Sequence, residues 1–423
     1  MGICNISIVM NGIKKCSGLC LYCSAASTMN YRAKDNKNTF TFYPKKLKEK
    51  ILEYCKPQMD IDKANNMATD LNIDIWGGNP LENFEPFKQV VNFCETQLKE
   101  FHFINMHTSG NGLELRDRDL VDYLFEHNIK YQLSHDGVGQ WIRTGEIDPL
   151  TWDKTKDNIA EMAQKGFLDW INCTLSARNP SFFENIEFWN DWRKRIGIFD
   201  ARPNLTIKLN HIYDGTPPIT KKWLGEDKKY IKKGEEVGDL NFHGVTLQNY
   251  LHEFRKLAII CHTPMIKNNP AFTPYVDYII GQADRFKYMK NPEEAGSCVA
   301  FQRGLKKVNF AIDTKGKYCQ CNLIDSDSTV KNAKAAQPEY CKDCKYKNLI
   351  ECNPCGSENN PEKCEYKWWW AKTLEEMFSV IEIVKSYENM LSTNNSCNCN
   401  GESKCNCKGE KQEPVFCVKG YKF

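Results

Sequence analysis

The residues with the clearest chemical potential are three closely spaced cysteines near the N-terminus. Cys16, Cys20 and Cys23 lie in CSGLCLYC, with three residues between the first pair and two between the second. A compact loop with this spacing can point three thiolates at one face of an iron–sulfur cluster, which usually takes four thiolates. Because no fourth cysteine is close by, one iron would keep an open position for a small molecule, as catalytic metals do. On these three residues alone, a zinc loop or free thiols are the alternatives.

Cysteine is unusually abundant along the whole chain, at 21 of 423 residues. Disulfide frameworks are typical of small secreted proteins, but the first residues, MGICNISIVMNGIKKC, lack the features of a secretory signal. We therefore expect metal-bound thiolates in a cytoplasmic protein. The net charge of +3 argues against a nucleic-acid partner. The absence of an apolar run of about 18 residues argues against a membrane partner.

Strand-like and helix-like segments alternate through the first half of the chain, and these elements must position the cysteines. Short apolar runs predict six strands, at 6–10, 73–76, 103–107, 129–134, 170–175 and 205–212. Helical spacing predicts helices at 44–54, 85–101, 116–127, 153–164 and 180–196. Repeated βα units with right-handed crossovers give a parallel sheet. The predicted fold class is therefore α/β, with a partial, TIM-like (β/α)6 barrel.

The cysteine loop follows the first predicted strand, and three polar boxes follow the next three strands. The boxes are GGNP at 77–80, TSGNG at 108–112 and SHDG at 134–137. Parallel barrels carry their active sites at the carboxyl ends of the strands, and glycines there let a backbone approach a ligand closely. Each box alone is also typical of an ordinary turn. Their order after consecutive strands is what favours one shared site.

The cysteine spacing, with aromatic Tyr22 before the last cysteine, resembles the signature of the radical SAM superfamily, and the boxes resemble its GGEP, Thr-x-Asn-Gly and Ser-x-Asp-Gly regions. The resemblance implies that Cys16, Cys20 and Cys23 hold a catalytic [4Fe–4S] cluster that binds S-adenosylmethionine (SAM). It implies that SAM is contacted by Tyr22, Gly77, Gly78, Asn79, Ser109, Asn111, Ser134 and Arg143. Arg143 is equally consistent with a surface arginine. Asn79 departs from the pattern, because the family usually has Glu there, and an amide accepts a hydrogen bond from an amine without charge assistance.

A second group of cysteines lies at 298–370. Its two C-x2-C pairs have the spacing of zinc ribbons as well as of iron–sulfur ligands. With the upstream signature present, the group resembles the SPASM extension, although the gap between Cys344 and Cys352 departs from that pattern. The resemblance implies two auxiliary [4Fe–4S] clusters, a distal one and a proximal one. The distal ligands would be Cys341, Cys344, Cys352 and Cys364, and the proximal ligands Cys298, Cys319, Cys321 and Cys355.

Five segments follow from these patterns: a radical SAM partial barrel at 1–215, a helical connector at 216–297, a cysteine-rich SPASM domain at 298–370, a C-terminal helix at 371–392 and a flexible tail at 393–423. The tail either holds a soft metal or is an unstructured, reactive segment; its cysteines are Cys397, Cys399, Cys405, Cys407 and Cys417. Four other cysteines fall in apolar patterns and are predicted to lie in the core: Cys55, Cys94, Cys173 and Cys261.

The resemblance implies an oxidoreductase or peptide-modifying enzyme that reductively cleaves SAM to a 5′-deoxyadenosyl radical and takes hydrogen from a peptide or protein, with flavodoxin or ferredoxin as reductant. Asn322 stands where sulfatase-maturing relatives carry an Asp base, which argues against sulfatase maturation. One alternative is a radical SAM dehydrogenase or related enzyme acting on a small molecule. An alternative of another class is a non-catalytic zinc or iron–sulfur electron-transfer protein.

Overall fold

The computed structural model describes residues 2–10, 12, 16–17, 40–144, 147–175, 179, 181–200, 205–211, 245–263, 269–284, 310–319, 379 and 382. The strands are β1 Gly2–Val9, β2 Thr69–Trp76, β3 Ile104–Gly110, β4 Lys130–Ser134, β5 Leu168–Leu175, β6 Thr206–His211 and β7 Phe310–Asp313. The helices are α1 Pro44–Ala64, α2 Phe84–Gln97, α3 Arg118–Glu126, α4 Trp141–Thr144, α5 Lys156–Lys165, α6 Phe182–Arg195, α7 Val245–His262 and α8 Thr273–Asp284.

The seven strands form one sheet in the order β6-β5-β4-β3-β2-β1-β7, and every neighbouring pair is parallel. The α/β class and the predicted partial barrel are confirmed, and all six predicted strands are present. The sheet also contains β7, which pairs with β1 and comes from the segment predicted to be a cysteine-rich domain. Its four residues carry too short a pattern to stand out in that sequence.

The two faces of the sheet differ in chemistry. On one face, apolar side chains such as Ile8, Ile73 and Leu209 are fully buried, and the helices pack there. The other face is polar and lines the inside of the partial barrel. Across it, Asn72 Nδ2 donates to Asn5 Oδ1 at 2.9 Å and Asn105 Nδ2 donates to Asn72 Oδ1 at 2.9 Å. The interior can therefore hydrogen-bond a polar ligand.

The helices differ from the sequence prediction in several places. Helix α2 ends at Gln97 and not at residue 101, α4 was not predicted, and the first helix differs most. The first helix, predicted at 44–54, continues to Ala64 with Pro57 inside it. Pro57 is on the exposed side, where water can satisfy the carbonyl that the missing N–H leaves without a partner. Helices α7 and α8 lie in the predicted connector. Glu253 of α7 accepts a hydrogen bond from the Phe182 backbone N–H at the start of α6, so α7 packs against the barrel.

The four predicted core cysteines are confirmed, because each is fully buried. Residues Met1–Val380 form one compact unit and Ile381–Phe423 a second. Ser379 and Glu382 are helical and fall in the predicted C-terminal helix. No helix among the described residues is long and apolar enough to cross a membrane.

Candidate functional site

The loop after β1 is tied to the turn after β2 directly beside Cys16. The Ser17 backbone N–H donates to Glu82 Oε1 at 2.7 Å and to Glu82 Oε2 at 3.0 Å, and the Ser17 hydroxyl donates to the same carboxylate. Glu82 belongs to the short 3-10 turn Pro80–Asn83. Half-buried Cys16 is thereby held at the carboxyl edge of the sheet. Cys20, Tyr22 and Cys23 lie outside the described residues.

The glycines of the first box let the ends of two strands approach each other. Gly77 has φ +136°, and a Cβ there would lie 3.1 Å from the Met10 carbonyl oxygen. The Met10 backbone N–H donates to the Trp76 carbonyl at 2.7 Å. Gly78 also has a positive φ, of 53°. Residues with a Cβ rarely adopt such φ values. The two glycines therefore allow a sharp turn of the chain directly before Asn79.

Asn79 is 1% exposed and has an amide whose orientation is fixed. Its Nδ2 donates to Glu82 Oε1 at 3.1 Å and to Glu114 Oε2 at 2.8 Å. A carboxylate can accept a hydrogen bond from the amide nitrogen but not from the amide oxygen. Because both carboxylates contact Nδ2, the carbonyl oxygen Oδ1 lies on the opposite side of the amide. Oδ1 is buried and has no hydrogen-bond partner within the described part of the chain. Buried amide oxygens are seldom left unsatisfied, so this atom marks a place for a donor from a ligand.

Glu114 is the acceptor at the centre of this network, and sequence reasoning missed it. It lies in a 3-10 turn, Leu113–Arg116, and is 6% exposed. Its Oε1 accepts from the Tyr131 hydroxyl and, at 3.4 Å, from the Gly112 backbone N–H. Burial raises the pKa of Glu114, although the hydrogen bonds from Tyr131 and Asn79 act in the opposite direction. An acidic residue between two leucines, in LEL directly after the box, was the signal that could have revealed it.

The second box, after β3, contributes to the same network. Asn111 Nδ2 donates to the Ser17 hydroxyl at 3.2 Å, and its Oδ1 accepts from the Leu113 N–H at 3.0 Å. Asn111 thus joins the loop after β3 to the cysteine loop. Ser109 lies on β3 opposite Gln132 of β4. The structure therefore brings together Cys16, Asn79 and Asn111, as the sequence predicted, and adds Glu82 and Glu114.

The box after β4 is organised differently, since its charges are paired within the protein. Arg143 Nη2 donates to Asp136 Oδ1 at 2.8 Å, and the Thr174 N–H donates to the same oxygen at 2.9 Å. Buried His135 places Nε2 2.9 Å from Asp148 Oδ1. Ser134 ends β4 opposite Asn172. The contacts of Arg143 and Ser134 with SAM stay predictions, and Arg143 is not the surface arginine of the alternative, because it is buried.

A third set of charges lies deeper on the polar face of the sheet. Tyr131 pairs with Leu168 and Gln132 with Trp170, so Asp169 is an extra, bulged residue beside Trp170. The Lys208 ammonium is 3.5 Å from the centre of the Trp170 ring, and burial lowers the pKa of Lys208 to about 8.

Two further groups accompany these residues. His107 Nδ1 lies 3.2 Å from Asp169 Oδ2, an ion-pair distance without hydrogen-bond alignment. Burial raises the pKa of Asp74 on β2. Together these side chains give the barrel interior charges of both signs.

Of the predicted auxiliary-cluster ligands, Cys319 is described and is 4% exposed. Its backbone N–H donates to the Ala311 carbonyl at 3.0 Å, which fixes it next to β7. The remaining seven lie outside the described residues: Cys298, Cys321, Cys341, Cys344, Cys352, Cys355 and Cys364. The cysteines of the tail and Asn322 also lie outside them. Within the described ranges, no three His, Cys, Asp or Glu side chains meet in a way that could hold a metal.

We compared the chain with known families, curated proteins and solved structures, and its fold resembles one class of enzyme. No family model and no curated protein matches it. Among solved structures, it is similar to anSMEcpe, an anaerobic sulfatase-maturating enzyme of the radical SAM/SPASM group. Native anSMEcpe with bound AdoMet matches with a TM-score of 0.52 and 14% identity, over 89% of this chain and 99% of that one. The same protein with AdoMet and Cp18Cys peptide matches with a TM-score of 0.53 and 13% identity, over 91% and 100%. The predicted radical SAM/SPASM resemblance is therefore confirmed at the level of the fold.

Proposed function

We propose that this chain is a radical SAM/SPASM enzyme that cleaves SAM at the carboxyl edge of the sheet and modifies a peptide or protein. The observation that carries the proposal is the convergence of the loops after β1, β2 and β3. Ser17, next to Cys16, is linked through Glu82 to Asn79, whose buried Oδ1 is unsatisfied. These residues fit the expected ligands. A thiolate suits iron, and a buried carbonyl oxygen suits the amino group of SAM.

Each loop has a distinct task in this proposal. Cys16, with Cys20 and Cys23, would hold the [4Fe–4S] cluster, which when reduced supplies the electron that splits SAM. Asn79 would accept a hydrogen bond from the amino group, and the glycines before it keep the first box close to β1. Asn111 and Glu82 hold the cysteine loop in place through Ser17. Auxiliary clusters on the downstream cysteines, with Cys319 beside β7, would take an electron back or bind substrate.

The substrate class is supported by the barrel interior and by the comparisons. The asparagine row and the charges around Lys208 suit a polar, hydrogen-bonding substrate such as a peptide. Among the similar structures, anSMEcpe binds peptides. A small-molecule substrate is the second candidate, because the same polar groups also suit a compact polar metabolite. A flavodoxin or ferredoxin would deliver the electron, and we place the reaction in the cytoplasm.

The proposal is tested by anaerobic reconstitution with iron and sulfide, followed by reduction in the presence of SAM. Three [4Fe–4S] clusters require about twelve irons per chain, and 5′-deoxyadenosine should form. A Cys16/Cys20/Cys23→Ala variant should lose SAM cleavage and keep most of the auxiliary iron. Cys94→Ala is the matched control, since this buried cysteine is outside the site and its loss should leave both readouts intact. A protein that binds only zinc, or that never cleaves SAM, would overturn the proposal.

The substrate class is tested separately, by mass spectrometry after incubation with peptides encoded beside the gene. A peptide substrate should show a changed mass and should increase 5′-deoxyadenosine formation. Stimulation by small metabolites alone would favour the second candidate.

A further inference from the structure

Two carboxylates flank Asn79, and neither has a cation partner in the described part of the chain. Glu114 is buried and Glu82 is half-buried. Their hydrogen-bond donors are neutral, namely the Asn79 amide, the hydroxyls of Tyr131 and Ser17, and the backbone N–H groups of Ser17 and Gly112. Buried carboxylates normally pair with a cation or a metal, because removing a charge from water is costly. A ligand with a positively polarised donor would complete this arrangement.

The orientation of Asn79 shows where that donor would bind. Both contacts of Nδ2 are to carboxylates, at 3.1 Å from Glu82 Oε1 and 2.8 Å from Glu114 Oε2. The carbonyl oxygen on the other side of the amide is buried and unsatisfied. An amide that donates to an anion has a more negative carbonyl oxygen, since hydrogen bonds in a chain polarise one another. The Glu114 carboxylate thus polarises the Asn79 amide and makes its Oδ1 a stronger hydrogen-bond acceptor.

We infer that Glu114 is a positioning residue that gives Asn79 the charge assistance its amide lacks, so that the pair together recognises the amino group of SAM. This inference rests on the proposed function. The resemblance to radical SAM enzymes leads one to expect Glu at position 79; in this chain the carboxylate is at position 114, after the neighbouring strand, and acts through the amide of Asn79.

The surroundings of Glu114 are shaped to hold its carboxylate. A Cβ on Gly110 would lie 1.8 Å from Glu114 Oε1, so only glycine leaves room for the carboxylate. The Tyr131 hydroxyl donates to this oxygen and accepts from the Gly112 N–H at 3.0 Å. Tyr131 is fully buried on β4. These contacts come from β3, from the loop that follows it and from β4, and they hold the Glu114 carboxylate in one position.

Replacing the carboxylate of Glu114 by an amide removes the negative charge and keeps an acceptor for Asn79. In Glu114→Gln, the carbonyl oxygen can still accept from Asn79 Nδ2, and the NH2 group can donate to the Tyr131 hydroxyl. Asn79 then keeps its orientation but loses the charge that makes its Oδ1 a stronger acceptor.

The experiment measures dissociation constants on reconstituted enzyme for two probes, SAM and its analogue with hydrogen in place of the α-amino group. Glu114→Gln should weaken SAM binding about five- to tenfold, the difference between a charge-assisted and a neutral hydrogen bond, and should leave analogue binding unchanged. Glu53→Gln, an exposed pair with Lys50, is the matched control and should change neither constant. Thermal unfolding checks that each variant is folded.

The outcomes separate this inference from the proposed function. If the wild-type enzyme binds SAM and Glu114→Gln loses affinity for SAM only, the inference is supported. If Glu114→Gln binds SAM as tightly as wild type, or loses affinity for both probes equally, the inference is overturned while the proposed function stands. A wild-type enzyme that does not bind SAM overturns the proposed function itself.

Discussion

Two regions of the site contain buried carboxylates, one formed by the boxes after β2 and β3 and the other by the box after β4. They differ in the hydrogen-bond and ion-pair partners of those carboxylates. After β4, Asp136 pairs with Arg143 and Asp148 with His135. Burial alone would raise the pKa of Asp148, and the hydrogen bond and charge of His135 outweigh it, so the pKa is lowered. Glu114, between β3 and β4, receives only neutral donors, and its pKa is raised. A carboxylate balanced within the protein holds the fold together, whereas one without a cation stays available to a ligand.

The strongest test of this contrast is Asp136→Asn. The variant removes the carboxylate charge that pairs with the buried Arg143 guanidinium, and breaking a buried ion pair costs about 3–5 kcal/mol. We expect a loss of this size in the free energy of unfolding, measured by urea denaturation. Asp122→Asn is the control, because Asp122 pairs with Arg118 on the surface, where such pairs contribute about 1 kcal/mol or less. Equal losses in both variants would mean that the β4 network is not held by its charges.

A second test removes the space that Glu114 occupies. Gly110→Ala places a methyl group where Glu114 Oε1 lies, and overpacking of this kind costs about 1–3 kcal/mol. We expect a loss of unfolding free energy together with weaker SAM binding. Gly197→Ala is the control: no atom lies within 4 Å of a Cβ there, and φ is +72°. Its cost is backbone strain of about 1–2 kcal/mol, and SAM binding should be unchanged. Normal SAM binding by Gly110→Ala would contradict a fixed position for the carboxylate.

The smallest effect is the pH dependence of stability. Because the pKa of Glu114 is raised in the folded state, the folded chain binds this proton more tightly than the unfolded chain. The free energy of unfolding should therefore fall as pH rises from the usual Glu value of 4.5 through the raised value. Glu114→Gln should lack this fall. Urea denaturation of both proteins across this pH range measures the fall. If the free energy of unfolding depends on pH equally in both proteins, the pKa of Glu114 is not raised by folding.

The fold was largely predictable because its strands and helices carry clear periods. The six strands from β1 to β6 follow apolar runs that must be buried, and parallel pairing follows from the helices between them. The extent of α1 was missed, since Pro57 normally ends a helix and here lies on an exposed side. The strand β7 was missed because Phe310–Asp313 is too short to show a period, and it is defined only by pairing with β1.

The sequence by itself determined that Cys16, Asn79 and Asn111 would lie close together, because the loops that follow parallel neighbouring strands meet at one edge of a sheet. It also placed an amide where the family that this chain resembles usually has a carboxylate. Only the tertiary structure decided what compensates for it. Glu114 is 35 residues from Asn79, and its proximity depends on the pairing of β2 with β3, on the space left by Gly110 and on a hydroxyl from Tyr131 of the next strand. Contacts of that kind arise from packing between elements, which no local pattern of residues specifies.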